Sequence, residues 1–333
     1  MTVRNEAGRP GIAVPKPHSW VVSGIRLVPK LVVLGLTASA LGWPGALGGM
    51  PGAAAAPTYP LLALTVSSTP LAPSPNATAG TATPTSESRI VRFGPSVTAA
   101  QLLHAIADDA IDVIELEPGR YTPGHLSIRA DRARPLLIRP RSPGSVVWGP
   151  GTTCAFSFEE GAGNITIDGL IMDGYRLGQT GIYWLGRAHD ITLNDITVRN
   201  STGDGDNSWA LYISSDGTAG PTNVVANRWV VDGGNRGLGG LQSNHDPNAR
   251  DLTANGWTVT RASYALYVNS DASSLRFEDW VIRDSGKCTW ECLVVDAVNA
   301  SGIIRGFRSI SSGTHMHAYI VAPMRDDGGN TWD

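Results

Sequence analysis

Lysine is nearly missing from this sequence: after residue 57 the only one is Lys287. Charge of any kind is sparse, with Asp, Glu, Lys and Arg together at 17%. The three cysteines, Cys154, Cys288 and Cys292, fit no zinc-ligand spacing. Long amphipathic helices are scarce as well. What fills the chain is Gly, Pro and short β-branched runs, the composition of many short strands joined by tight turns.

Residues 1–56 differ from the remainder. Arg4, Arg9, Lys16, Arg26 and Lys30 precede an apolar run from Leu31 to Trp43, then the small residues Gly52 to Ala56 before Pro57. A basic segment, an apolar segment and a small-residue site are the parts of a secretory signal. The other reading is an uncleaved anchor, since residues 31–50 are all apolar or small and about 20 such residues span a bilayer. Pro44 and the glycines weaken a spanning helix, so cleavage is the expectation. The protein is expected to be secreted or extracellular, or held at a membrane or cell wall by this segment. Without residues 1–56, which hold five basic residues and one acidic, the 26 basic and 29 acidic residues fall to 21 and 28, a net charge of −7. That balance argues against a nucleic-acid partner, because phosphate binding requires a basic surface. Residues 57–88, rich in Ser, Thr, Pro and Ala, cannot bury enough apolar surface to fold and read as a linker. One ordered domain is expected over residues 89–333.

Within that domain one phrase recurs. Asn164 to Met172 (Asn-Ile-Thr-Ile-Asp-Gly-Leu-Ile-Met) is echoed by Asp190 to Val198, Asn223 to Val231, Asp251 to Val259 and Ser274 to Ile282. Aligned at Leu170, Ile196, Trp229, Trp257 and Trp280, the copies are 26, 33, 28 and 23 residues apart. In each, apolar residues alternate, two polar residues intervene, and alternation resumes, which describes a strand, a bend and a second strand with the same inner face. The first residue of the break is Asp168, Asn194, Asn227, Asn255 or Glu278. Asp and Asn there are expected to take up the left-handed turn and to stack their side chains along the axis. After a variable loop comes a third apolar run, such as Ala210 to Ser214 or Ala265 to Asn269. Three strands in about 25 residues, stacked coil on coil, make an all-β parallel β-helix of about eight coils, with Leu170, Ile196 and the three tryptophans inside. Thr98 and Gln101 have capping-box spacing, and Leu102, Leu103 and Ile106 give the following short helix an apolar face to cover the open N-terminal end.

That helix, followed by Asp112 to Tyr121 with its Pro118-Gly119-Arg120-Tyr121 ending, and the Asn-Ile-Thr-Ile-Asp-Gly-Leu copies together resemble the pectin-lyase-like superfamily of right-handed β-helices. The superfamily holds polysaccharide lyases, hydrolases, epimerases and non-catalytic surface proteins, so the resemblance speaks to fold more than to chemistry. The Gly-His-Gly and Asn-Thr-Asp motifs of polygalacturonases are missing, as are the Trp-Ile-Asp-His and Arg-x-Pro-x-x-Arg motifs of pectate lyases. No catalytic residue is carried over from those families.

The resemblance implies a substrate groove along the third run. If Ile182, Leu211, Leu241, Leu266 and Leu293 point inward, the outward row is Tyr183, Tyr212, Gln242, Tyr267 and Val294, followed by Leu185, Ser214, Asn244, Asn269 and Asp296. Aromatic faces beside amides suit a sugar, whose C–H groups stack and whose hydroxyls hydrogen-bond. The alternative is an ordinary solvent-facing sheet, where tyrosine is common. Beyond this row Asp216, Asp246 and Asp271 form either a carboxylate ladder for glycoside hydrolysis or plain turn punctuation. Asp204 and Asp206 offer oxygens for a calcium ion. Lys287 is the candidate base of a lyase, with Arg236 and Arg283 as cations for a uronate and His245 as an acid or base. Cys288 and Cys292 are expected to pair, and Cys154 to be an apolar core residue. The function expected is that of a monomeric, polysaccharide-active lyase or hydrolase acting on an acidic polymer, or else a non-catalytic carbohydrate-binding surface protein.

Overall fold

The computed structural model describes residues 88–203, 207–214, 219–234, 237–244, 249–285, 293–295, 299–310, 318–320 and 323–331. These form a right-handed parallel β-helix with three sheets along its length. Sheet A has ten strands, running from Ile90–Phe93 to Met324–Asp326 and including the recurring Gly163–Asp168, His189–Asn194, Thr222–Asn227, Arg250–Asn255 and Leu275–Glu278. Sheet B has eight short strands, such as Ile171–Asp173, Thr197–Arg199, Val230–Asp232 and Thr258–Thr260. Sheet C also has eight, among them Gly181–Leu185, Ser208–Ile213, Leu238–Asn244 and Leu266–Asn269. Every pairing is parallel and joins equivalent positions of successive coils: Ile165, Ile191, Val224 and Leu252 share one column, and Asp168, Asn194, Asn227, Asn255 and Glu278 another.

The core is a column of rings. Tyr121, Trp148, Phe156, Tyr183, Trp229, Trp257, Trp280 and Phe307 follow one another with centroid separations of 4.7 to 5.7 Å. All are essentially sealed from solvent. Trp229, Trp257 and Trp280 lie almost parallel, with 4° between the first two ring planes and 7° between the last two. Each donates its indole N–H to a carbonyl of the coil before it, on Leu193, Ala226 and Ala254 respectively. The repeat position that carries tryptophan therefore supplies both stacking area and a fixed hydrogen bond between coils.

The two-residue corner between sheets A and B departs from expectation in one respect. Its first residue is still strand; the second takes the left-handed conformation, at Asp195, Arg228 and Asp279 as well as Gly169 and Gly256. The residue that opens each copy, at Asn164, Asp190, Asn223, Asp251 and Ser274, is left-handed too. At Arg228, where the side chain gives no help to such a turn, a two-pronged ion pair to Asp195 at 2.8 and 2.6 Å holds the corner. The expected amide stacking occurs at Asn227, whose Nδ2 donates to Asn194 Oδ1 at 3.2 Å.

The helix Ala99–Ala107 closes the N-terminal end. Gln101 N donates to Thr98 Oγ1 and Thr98 N donates to Gln101 Oε1, a complete capping box, and Leu102, Ala105 and Ile106 join the core. Arg132 of sheet A, 1% exposed, donates to Ile106 O and Asp108 O at the helix C-terminus and to Ile111 O just beyond it. An arginine is suited to this role because its fork of N–H groups satisfies several orphan carbonyls at once, near the negative end of the helix dipole. Cys154 is buried, as the alternation with Phe156 and Phe158 implies, and burial pushes its thiol up to about 12. Cys288 and Cys292 lie outside the described residues. Among the described residues no helix is long and apolar enough to cross a membrane.

Two outcomes follow from this packing. Trp257→Ala should lower unfolding stability by about 3 to 5 kcal/mol in a denaturant titration, the usual cost of removing a buried aromatic ring. A loss below 1 kcal/mol would show that the ring column does not bear on stability. The second concerns His189, whose ring covers Gly163, contacts Asp190 at 2.8 Å and reaches back two coils to Asp131 at 3.2 Å. The hydrogen bond to Asp190 raises its pKa above the ordinary 6.5; burial opposes this, and the charges of Asp131 and Asp190 add to the rise. Because the folded value is the higher one, this contribution is complete below pH 6.5 and disappears as pH rises through the folded value. The pair is partly exposed, so the effect is small. Melting temperature should fall across that window in the parent chain and fall less in His189→Gln.

Candidate functional site

Strand register decides which side chains sheet C turns outward. Leu211, Leu241, Leu266 and Leu293 share a column and are buried, as expected, but the residue of the preceding coil in that column is Tyr183 and not Ile182. Tyr183 is 0% exposed, stacks on Phe156 at 5.2 Å and donates its hydroxyl to Met172 Sδ. It belongs to the interior column, so its assignment to the groove is withdrawn. Leu185 is likewise buried, level with Ile213. The outward residue of that coil is Trp184, which is half-buried and in register with Tyr212, Gln242 and Tyr267. Both Ile182 and Tyr183 are buried, so simple alternation fails at the start of this strand.

Further along, the outward face does form a recess. A cavity of about 250 Å³ opens over three consecutive coils, lined among the described residues by Trp209, Tyr264 and Tyr267 and by the amide residues Asn207, Gln242, Asn244 and Asn269. The three rings form a cluster with centroids 5.6 to 6.2 Å apart. Trp209 lies flat over Gly239 of the next coil, where any side chain would collide with its ring. Asn244 and Asn269 are level in adjacent strands, and Asn244 Nδ2 donates to the hydroxyl of Tyr212 at 2.9 Å. Trp209 Nε1, Asn244 Oδ1 and Asn269 Oδ1 are buried without a hydrogen-bond partner among the described residues, as are Trp148 Nε1, Asn227 Oδ1 and Asn255 Oδ1 of residues that do not line the recess.

The structure thus brings together Tyr212, Gln242, Asn244, Tyr267 and Asn269 from the expected row. Sequence reading missed Trp209 and Tyr264; the signal was their spacing just before the third run, within the variable loops. Arg283 does not join them: it ends a strand of sheet B and is exposed. Asp271 is exposed beyond the end of its strand and accepts from Asn299 Nδ2 at 3.0 Å, so it does not line the recess. Lys287, His245, Asp216, Asp246, Asp296, Arg236, Asp204 and Asp206 lie outside the described residues. Among the described residues no group of three or more His, Cys, Asp or Glu side chains could hold a metal ion.

No protein-family model matches the chain, and no curated protein sequence is detectably similar to it. Among solved structures, one similar chain is the catalytic domain of GH87 alpha-1,3-glucanase in complex with nigerose, at 10% identity over 77% of this chain and 71% of that one, with a TM-score of 0.22. Another is the A-module of the Azotobacter vinelandii mannuronan C-5 epimerase, at 14% identity over 70% of this chain and 92% of that one, with a TM-score of 0.20. The coil architecture is that of a right-handed parallel β-helix, the fold expected from the sequence.

The revised register is open to test. Tyr183→Ala should behave as a core truncation and cost about 3 to 5 kcal/mol. Trp184→Ala, one residue on, should cost less than about 1 kcal/mol. Equal losses would reject the assignment of inner and outer faces.

Proposed function

We propose that this protein binds a polysaccharide along the outer face of sheet C. The supporting observation is the recess lined by the rings of Trp209, Tyr264 and Tyr267 together with the amides of Gln242, Asn244 and Asn269. Flat rings receive the C–H faces of a sugar, amides receive its hydroxyls, and a β-helix repeats such a surface along its axis at the strand spacing of about 4.8 Å. An extended polymer is the ligand whose shape matches a straight solenoid face.

The described lining holds amides, an indole and two phenols, which suits binding. Bond cleavage would call on the residues that sequence places in the bordering loops: Lys287 as a base for elimination, or Asp216 and Asp246 with His245 for hydrolysis. Binding and cleavage are therefore separable. The full chain is run through gels cast with a panel of soluble polysaccharides, and the same polymers are assayed for new reducing ends and unsaturated products. Retardation by at least one polymer, abolished in Tyr267→Ala, is the expected result. A chain retarded by none, or equally retarded as Tyr267→Ala, would refute this site. If product also forms, loss of product with retained retardation in Lys287→Ala would identify the lyase base, and unchanged product in that variant would exclude it.

A further inference from the structure

We infer that Gly239 and Trp209 are positioning residues of the recess on sheet C. With no side chain at Gly239, Trp209 reaches across a whole coil and sets the pose of Tyr264 and Tyr267, the rings that face the ligand. The inference rests on the polysaccharide reading of this site and adds which residues hold its aromatic surface in shape.

Three consecutive coils meet at one level of sheet C. Trp209 is in register with Gly239 of the following coil, and Gly240 N donates to Tyr264 O of the coil after that at 2.8 Å. Strands two apart in a sheet are separated by about 10 Å. The rings of Trp209 and Tyr264 nevertheless stand 6.0 Å apart by centroid, and those of Trp209 and Tyr267 6.2 Å apart. Tyr264 and Tyr267 close the cluster at 5.6 Å. Rings from the first and third coils can meet because the second contributes only a hydrogen atom at that level. The three heavy atoms nearest to a Cβ placed on Gly239 all belong to the Trp209 ring, each within 3.0 Å. The backbone of Gly239 is outside the left-handed region, so it is the indole and not the chain that excludes a side chain here. Gly240 differs: a Cβ there would strike the backbone carbonyl of Ala265. Of two neighbouring glycines, one serves the stacking of coils and the other serves the ring.

Exposure divides the rings by role. Trp209 is 1% exposed and has almost no face to offer a sugar, whereas Tyr264 and Tyr267 are partly open. A sealed ring stacked on two open ones acts through them. It fixes their tilt and removes freedom that they would otherwise lose on binding.

The test runs the full chain through gels cast with graded amounts of a soluble glucan, a mannan, a galactan and polygalacturonate, well below the melting temperature of each variant. With whichever polymer retards the parent, Gly239→Ala and Trp209→Ala should each weaken binding about fivefold, the worth of one aromatic contact. The double variant separates positioning from plain loss of stability. In the Trp209→Ala background the new methyl group meets no ring, so adding Gly239→Ala should change binding by less than about twofold. Gly239→Ala binding as tightly as the parent overturns the inference and leaves the polysaccharide reading standing. Losses that multiply in the double variant also overturn it, because the methyl group then acts on the coil and not on the ring. A parent retarded by no polymer overturns both. Should Gly239→Ala fail to fold, Trp209→Phe set against Trp209→Ala decides: phenylalanine keeps a ring for the tyrosines to stack on and should bind about threefold more tightly than alanine. Equal binding by those two variants, or parental binding by Trp209→Ala, then overturns the inference.

Discussion

The interaction on which the rest of the structure depends is the stacking of one ring on the next along the axis. A coil of about 25 residues has no inside of its own; its apolar residues are buried only when another coil lies above and below. In the middle of this domain that contact is made by Trp229, Trp257 and Trp280 in near-parallel contact, continued by Phe307 at one end and by Tyr183, Phe156, Trp148 and Tyr121 at the other. Rings of this size tolerate little sliding, and the indole N–H of each tryptophan is tied to a carbonyl one coil back. A coil that slipped by one residue would lose the stack, the hydrogen bond and the inner face of all three strands together.

Fixed register inside gives fixed register outside. Because Leu211, Leu241 and Leu266 must lie in one column, Tyr212, Gln242 and Tyr267 must lie in another on the opposite face, and Asn244 must stand level with Asn269. The recess is thus a consequence of the core: Trp209, Gln242, Asn244, Tyr267 and Asn269 from three coils converge because their strands cannot move relative to one another. The corners serve the same end with polar groups. The Arg228–Asp195 and Arg261–Asp232 pairs each tie one coil to the preceding one. Being exposed, such pairs contribute little stability singly, so their effect is on alignment more than on depth of burial.

Legibility in the sequence followed this same division. The inner column was readable because repetition fixes it: the polar pair before Trp229, Trp257 and Trp280 occurs at one place in every copy, and the capping box at Thr98 is a local signal. The left-handed corner was located one residue early, since a polar pair does not say which member turns; strand hydrogen bonding keeps Asn194 extended and passes the turn to Asp195. Tyr183 was misplaced for a related reason. In Gly181–Leu185 every residue except Trp184 is buried, so apolar alternation has no contrast from which to take its phase. Only pairing with Leu211 settles it. Arg132 and the ring cluster at Trp209 and Tyr264 were invisible for a different reason. Apart from Arg134 O, the carbonyls that Arg132 meets are 21 to 26 residues away, and the rings that Trp209 meets are 55 and 58 residues away, with nothing local to announce them.

The distribution of variation along the chain has a physical cause. Between sheets A and B the corner is two residues long in successive copies, because its carbonyls and amides are used by the neighbouring coils: Gly169 N donates to Asn194 O, Asp195 N to Asn227 O, Arg228 N to Asn255 O and Gly256 N to Glu278 O. An insertion there would break bonds in two coils at once. The differences among the steps of 26, 33, 28 and 23 residues must therefore fall in the loops that enter and leave sheet C. Those loops are the cheapest part of a solenoid to alter, since lengthening one changes the chain-closure entropy by only about 0.6 kcal/mol per doubling and leaves the stack intact. Chemistry that distinguishes one coil from the next accumulates where such freedom exists. Asn207 and Tyr264 reach the recess from these loops, and Lys287, Asp216, Asp246 and His245 lie in the same stretches of sequence. The monotony of the other two faces and the individuality of the face along sheet C are both products of one constraint, the need of each coil to bond with its neighbours at every corner it shares.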